Sequence, residues 1–167
     1  FIGGGTPSLF SGNSYQCLLK NIQSRIDISN AEITFEANPS SSEYAKFSDY
    51  RAAGINRLSI GVQSFDSAML KKIGRIHNAT DARQAAKAAK RAGFENFNLD
   101  IMFALPEQNL EQAIADVQQA IELTPSHLSC YQLTLEPNTL FHAKPPKLPT
   151  SDIAWQMQSA IQDNLMQ

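Results

Sequence analysis

The stretch Asn96-Phe97-Asn98-Leu99-Asp100-Ile101-Met102 decides the fold class, because polar and apolar residues alternate along it and a carboxylate sits in its middle. Neighbouring side chains on a β-strand point to opposite faces. Phe97, Leu99, Ile101 and, one step on, Phe103 therefore share one face, and Asn98, Asp100 and Met102 the other. The stretch is entered from an Ala-rich helical segment, Asp81 to Ala92, that Gly93 stops. It is left through Asn109, which caps a predicted helix from Leu110 to Glu122 ended by Pro125.

The same succession extends outward in both directions. Phe1-Ile2 ends a first strand, and Tyr15 to Ile26 sets Leu18, Leu19, Ile22 and Ile26 at helical spacing. Glu32 to Glu36 reads as a second strand. Asn38-Pro39 then turns the chain, and Ser40 with Glu43 forms a capping-box pattern for a helix that Gly54 closes. Arg57 to Gly61 is a third strand, followed by a short helix near Ser67 to Ile73. Leu128 to Leu135 is a fifth strand, and a loop with Pro137, Pro145, Pro146 and Pro149 leads to a last helix near Ser151. Strands separated by helices pair in parallel through right-handed crossovers, which makes the class α/β.

Five such units are too few for a closed barrel of about 250 residues, so a partial (β/α) barrel competes with an open doubly wound sheet. Face parity separates the two. Ile33 and Phe35 oppose Thr34 and Glu36; Leu58, Ile60 and Val62 oppose Ser59, Gly61 and Gln63; Tyr131, Leu133 and Leu135 oppose Gln132 and Thr134. A sheet covered by helices on both faces is apolar on both. One polar face fits a barrel interior, with its polar residues late in each strand, where (β/α) barrels build their sites. The expected architecture is thus a partial TIM-like (β/α) barrel of about five strand-helix units. Residues 1–149 form its central part, and 150–167 a helix leading toward a further C-terminal domain. The start at Phe1, directly before Gly3-Gly4-Gly5, predicts a chain cut inside a strand.

Bulk composition narrows the function classes. With 167 residues, 43% hydrophobic and 18% charged, the chain has the makeup of an ordinary globular protein. A net charge of −2 offers no basic footprint for nucleic acid. No run approaches the ~20 apolar residues of a membrane span, and the first residues lack a signal peptide's basic and apolar zones, so a cytoplasmic location is expected. Cys17 and Cys130 are far apart and read as two free thiols, and His77, His127 and His142 show no metal-ligand spacing, so no metal ligands are assigned.

The candidate ligand-binding residues lie at strand ends. Gly3-Gly4-Gly5-Thr6-Pro7 follows the first strand, where glycines permit close backbone approach and exposed amide groups can hold an amino-acid head group or a phosphate. Glu36 and Asp100 are carboxylates among apolar neighbours, and each needs a cation, hydrogen-bond donors or a ligand. A salt bridge to Arg57 would satisfy either one. Together with Gln63 on the intervening strand they suit ammonium and ribose hydroxyl groups. Arg75, in the loop after the third strand, offers two parallel hydrogen bonds to a carboxylate, or else solvates at the surface.

Six segments in register, FIGGGTPSLF, EITFEANP, INRLSIGVQSF, KKIGRIH, FNLDIMFALP and LSCYQLTLEPNTLF, resemble the oxygen-independent coproporphyrinogen III oxidases and the heme chaperones related to them. The likeness runs from Phe1 to about Pro149. It implies a radical S-adenosylmethionine barrel with S-adenosylmethionine and a [4Fe-4S] cluster as cofactors. The cluster's three cysteines are expected upstream of this chain, and a reductant protein serves the cluster. By motif, Gly4, Gly5 and Thr6 fall on the turn bordering the methionine moiety, and Glu36, Gln63, Arg75 and Asp100 on side chains that contact S-adenosylmethionine. Thr134 falls on a residue that contributes by position. GVQSF, with Ser64, looks like the chaperone branch, which binds heme and delivers it to respiratory proteins; GVQDF is commoner in the oxidases, which decarboxylate coproporphyrinogen III to protoporphyrinogen IX. One departure stands out: Ala104-Leu105-Pro106 where the family usually has Gly-Leu-Pro. An Ala there is strained if the turn requires positive φ. A barrel that binds a phosphorylated or amino-acid ligand without radical chemistry is the alternative outside this family.

Overall fold

The structure is a computed structural model that describes residues 1–166. Four parallel strands, β1 (Thr34–Ala37), β2 (Arg57–Gln63), β3 (Asn96–Phe103) and β4 (His127–Gln132), lie in the order β1-β2-β3-β4. Ile2 adds a parallel bridge to Phe35 beyond β1. The five strand positions expected from the sequence are therefore present in chain order. Doubly wound sheets reverse their strand order, whereas a barrel advances one strand at a time, so this sequential order is a barrel segment.

One face of the sheet carries the core. Phe35, Leu58, Ile60, Val62, Phe97, Leu99 and Ile101 are buried on it, matching the parity expected for β1 to β3. Fully burying a side chain of this size contributes roughly 1.5–3 kcal/mol. Against this face pack α1 (Gly12–Gln23) through Tyr15, α3 (Phe47–Ala52) through Phe47 and Tyr50, and α5 (Ala79–Arg91) through Ala82, Ala85, Ala86 and Ala89. The small Ala side chains let α5 lie close to the sheet. Helix α6 (Leu110–Glu122) adds Ala113, Val117 and Ala120, and α8 (Ser151–Leu165) adds Ala154, Met157 and Ile161 to the same core. Among the described residues, no helix is long and apolar enough to cross a membrane.

Helix ends follow capping chemistry. Asn109 and Gln112 form a full capping box at α6, and Asn78 with Asp81 does the same for α5, which begins at Ala79 because Asn78 supplies the cap. The helix expected between Ser40 and Gly54 is instead two short ones, α2 (Ser41–Tyr44) and α3, and Ser40 makes no side-chain cap. Glu43 has a competing demand. Its carboxylate accepts the backbone N–H of Asn38 at 2.8 Å and the Asn38 amide at 3.1 Å, satisfying donors that Pro39 leaves at the end of β1.

The fifth expected strand also differs. It ends at Gln132, not Leu135, and its phase is reversed. Asp100 pairs with Ser129 and Met102 with Tyr131, so Ser129 and Tyr131 share the polar face, while Leu128 and Cys130 stand beside Leu99 and Ile101. The alternation Tyr131, Leu133, Leu135 suggested the opposite. Tyr131 carries both a ring and a hydroxyl, so hydropathy alone does not fix its side.

Between α3 and β3, α4 (Ser67–Lys72) is capped by Asp66. Helix α7 (Leu140–Ala143), in the loop after β4, was not expected from the sequence.

Candidate functional site

A polar cavity of about 230 Å³ opens at the carboxyl ends of β1 to β4. Its size suits the polar end of a ligand, since whole drug-sized ligands occupy roughly 300–1,000 Å³. Gly5, Glu36, Gln63, Arg75 and Asp100 all line it, so the structure brings five of the sequence-predicted residues together. They arrive from three strands and two loops, brought to one end of the sheet because the strand order is sequential.

Glu36 extends from β1 toward the glycine turn. The Gly4 N–H donates to its Oε2 at 3.3 Å, and Gly4 and Gly5 adopt φ of 83° and 59°, a region open to glycine at little cost. Gly3 lies so close that a Cβ there would stand 2.6 Å from the Glu36 carboxylate. The chain therefore passes directly over this side chain.

Asp100 is held from below. Its carboxylate accepts the Ser59 hydroxyl at 3.0 Å and the Asn98 amide at 2.8 Å, and Asn98 is oriented in turn by Ser129 at 3.1 Å. Burial pushes the Asp100 carboxyl above the ordinary range, the Ser59 and Asn98 hydrogen bonds oppose that, and the negative charge of Glu36 adds to it. Two carboxylates facing one cavity call for a cation between them. Neither has an ion-pair partner among the described residues: Arg57 reaches Glu32 at 3.8 Å and not Glu36 or Asp100.

Arg75 approaches from the far side and donates to Asn38 Oδ1 at 3.5 Å, the same Asn38 that Glu43 fixes. It is half-buried at the cavity wall, so its guanidinium faces the ligand space and not bulk water alone.

Gln63 is reached through an irregularity. The β2–β3 register slips between Ile60 and Gln63, so that Gln63 stands opposite Ile101. Gln63 has φ 69°, and Ser64 N–H donates to Val62 C=O at 2.9 Å across it, the pattern of a γ-turn of the rare positive-φ kind. Such backbone costs on the order of 1–3 kcal/mol and is found where function needs it. The Gln63 amide oxygen accepts the Tyr131 hydroxyl at 2.5 Å.

Three predicted residues lie elsewhere. Gly4 and Thr6 line an adjoining apolar cleft of about 560 Å³ with Ile2, Leu9 and Tyr15, in contact with the polar cavity through Pro7. Thr134 lies beyond the end of β4, donates to Glu136 at 2.7 Å and borders a separate cleft beside Lys71 and Leu140. Sequence reasoning missed Asn38, Ser59 and Tyr131 as lining residues. Ser59 lies on the polar face and Asn38 inside the FEANP segment, so both carry a signal in the sequence; the alternation around Tyr131 assigns it to the opposite face.

The donor set fits S-adenosylmethionine at its amino-acid and ribose parts, on the evidence of two unpaired carboxylates, an amide and a guanidinium around one cavity. It does not fit an iron–sulfur cluster. Among the described residues no group of three His, Cys, Asp or Glu side chains could hold a metal ion, and Cys17 and Cys130 are separate free thiols. Burial pushes the Cys130 thiol up, away from the thiolate a metal needs.

Sequential parallel strands with a polar cavity at their carboxyl ends define the class: a segment of a (β/α) barrel. The chain belongs to the radical SAM superfamily, which matches residues 1–120. It is 56% identical over 93% of its length to the heme chaperone HemW of Escherichia coli, covering 41% of that protein. It is also 37% identical, over 94% of its length, to the mouse mitochondrial radical S-adenosyl methionine domain-containing protein 1, covering 37% of it. The structure superposes on the coproporphyrinogen III oxidase HemN of Escherichia coli with a TM-score of 0.86 at 26% identity, over 98% of this chain and 39% of that one. The chain thus spans about two fifths of the length of these relatives.

Proposed function

We propose that this barrel segment is the S-adenosylmethionine cradle of a heme chaperone, a cytoplasmic protein that binds heme and passes it to respiratory proteins. The observation that carries the cradle is the convergence of Glu36, Gln63, Arg75 and Asp100 on one cavity, with neither carboxylate ion-paired among the described residues. Glu36 would hold the ammonium group, Arg75 the carboxylate, and Asp100 with Gln63 the ribose hydroxyls. Gly4, Gly5 and Thr6 would border the methionine part, and Thr134 would act by position. When bound, S-adenosylmethionine supplies the family's radical chemistry; the [4Fe-4S] cluster this requires would take its ligands from residues outside 1–166 and its electrons from a reductant protein.

The residues themselves bind and orient. Ser59 and Asn98 keep the Asp100 oxygens aimed at the cavity, and Asn38 holds the Arg75 fork in place. The likeness to a named heme chaperone at 56% identity supports the chaperone branch, as does Ser64. The likeness to HemN favours the second reading, oxidative decarboxylation of coproporphyrinogen III.

Anaerobic assay of the full-length protein with its cluster separates them. Heme binding and transfer without turnover of coproporphyrinogen III is expected; production of protoporphyrinogen IX would overturn the chaperone reading. Failure of S-adenosylmethionine to bind would overturn the cradle.

A further inference from the structure

Ser64, which distinguishes GVQSF from GVQDF, faces away from the cavity. It is fully buried, and its hydroxyl donates at 2.7 Å to Oδ2 of Asp116, a residue of α6 that is itself 2% exposed. The other Asp116 oxygen accepts the backbone N–H of Phe65 at 2.6 Å. Asp116 does not line the polar cavity. Its two acceptors instead grip the two residues that follow Gln63.

We propose that Asp116 is a positioning residue that sets Gln63 into the ligand cavity, acting through Ser64 and Phe65. This rests on the reading of Gln63 as a ligand contact. The geometry is that of a clamped turn. Gln63 sits at the apex of the γ-turn with Val62 C=O and Ser64 N–H as its two posts. His77 Nε2 lies 3.0 Å from Val62 C=O and fixes the first post, while Asp116 fixes the second through Ser64 and Phe65. Asp66 N–H donates to Ser64 Oγ at 3.0 Å, which uses the hydroxyl as an acceptor and leaves its proton for Asp116.

A backbone with φ 69° at a non-glycine residue persists only where its surroundings over-determine it. Among the described residues, the side-chain partners of this turn's backbone are His77 from the loop before α5 and Asp116 from α6. With Asp116 gone, Ser64 and Phe65 would keep buried donors without acceptors, and the turn would lose the reason for its shape. An Asp at position 64 would meet the Asp116 carboxylate directly.

The test is a double-mutant cycle read by calorimetric titration of S-adenosylmethionine into the full-length protein carrying its cluster, with unfolding temperature recorded for each variant. Gln63→Ala is expected to weaken binding about 10-fold, the worth of one hydrogen bond near 1.4 kcal/mol. Asp116→Ala should weaken it by a similar factor, and the double variant no more than Gln63→Ala alone. Asp116→Asn, which keeps an acceptor for Phe65, should recover most of the affinity. Additive losses, a wild-type affinity in Asp116→Ala, or equal losses in Asp116→Asn and Asp116→Ala would overturn the proposal. Should Asp116→Ala fail to fold, Ser64→Ala takes its place in the cycle with the same criteria. Unchanged affinity in Gln63→Ala would overturn the ligand reading of Gln63, and this proposal with it.

Discussion

Gly3→Ala separates binding from folding at this site. The new Cβ would lie 2.6 Å from both Cδ and Oε2 of Glu36, and ordinary contact begins near 3.4 Å, so the carboxylate must retreat by close to an ångström. The backbone of Glu36 is pinned, since its N–H donates to Ile2 C=O at 3.0 Å and it pairs with Ser59 across the sheet. Relief must come from side-chain rotation, at a cost of about 0.5–1.5 kcal/mol. Gly3 does not occupy the left-handed region, so alanine there gains roughly 0.4–1 kcal/mol by restricting the unfolded chain. The two nearly cancel, and stability should change by less than about 1 kcal/mol. The displaced carboxylate would, however, lose the charge-assisted contact proposed for it, worth about 1.5–3 kcal/mol, so S-adenosylmethionine should bind about 10- to 150-fold more weakly. Chemical denaturation paired with calorimetry of the full-length protein gives both numbers. Undiminished affinity with unchanged stability would refute the placement of Glu36 against the ligand.

Three other outcomes follow from the same geometry. Burial pushes Asp116 up to about 6, so the folded state holds its proton where the unfolded chain has released it, and stability falls as pH rises from about 4 through 6. Asp116→Asn should flatten that slope, so that its stability relative to the parent rises by on the order of 3 kcal/mol between low pH and pH 7 for a shift of roughly two units; parallel urea-denaturation profiles of the two proteins from pH 4 to 8 would contradict the cause. Asp100, also raised by burial, would on the proposed reading accept ligand hydrogen bonds as an anion, so affinity should fall as pH drops toward its pKa, and Asp100→Asn should remove that pH dependence while weakening binding. Ala104 adopts φ 56°, the strained case foreseen for its turn. In Ala104→Gly, relief of about 1–2 kcal/mol is set against ~0.4–1 from chain entropy and ~0.8 from a lost buried methyl, so unfolding free energy should move by less than about 1 kcal/mol; a loss above 2 would show that packing, not backbone strain, governs the position.

The sequence by itself determined whatever depends on near neighbours. Alternation with period two put Phe35, Leu58, Ile60, Leu99 and Ile101 in the core and left Glu36, Ser59 and Asp100 on the other face, because a strand's pleat relates residues two apart. Asn109 announced the start of α6 for the same local reason: its side chain caps backbone three residues on. What needed the tertiary structure was every feature in which a distant group competes with a local rule. Glu43 belonged to a capping pattern until Asn38 offered it two donors. Tyr131 changed faces because pairing with Met102 and a hydrogen bond to Gln63 outweighed its hydropathy. Thr134, one pleat past the last paired residue, no longer inherited the strand's parity. Gln63 reaches the cavity through a turn whose shape depends on Asp116, more than fifty residues further along the chain. Local periodicity holds only while the strand is regular, and at a bulge or a strand end the hydrogen-bond partners that decide direction come from elsewhere in the fold.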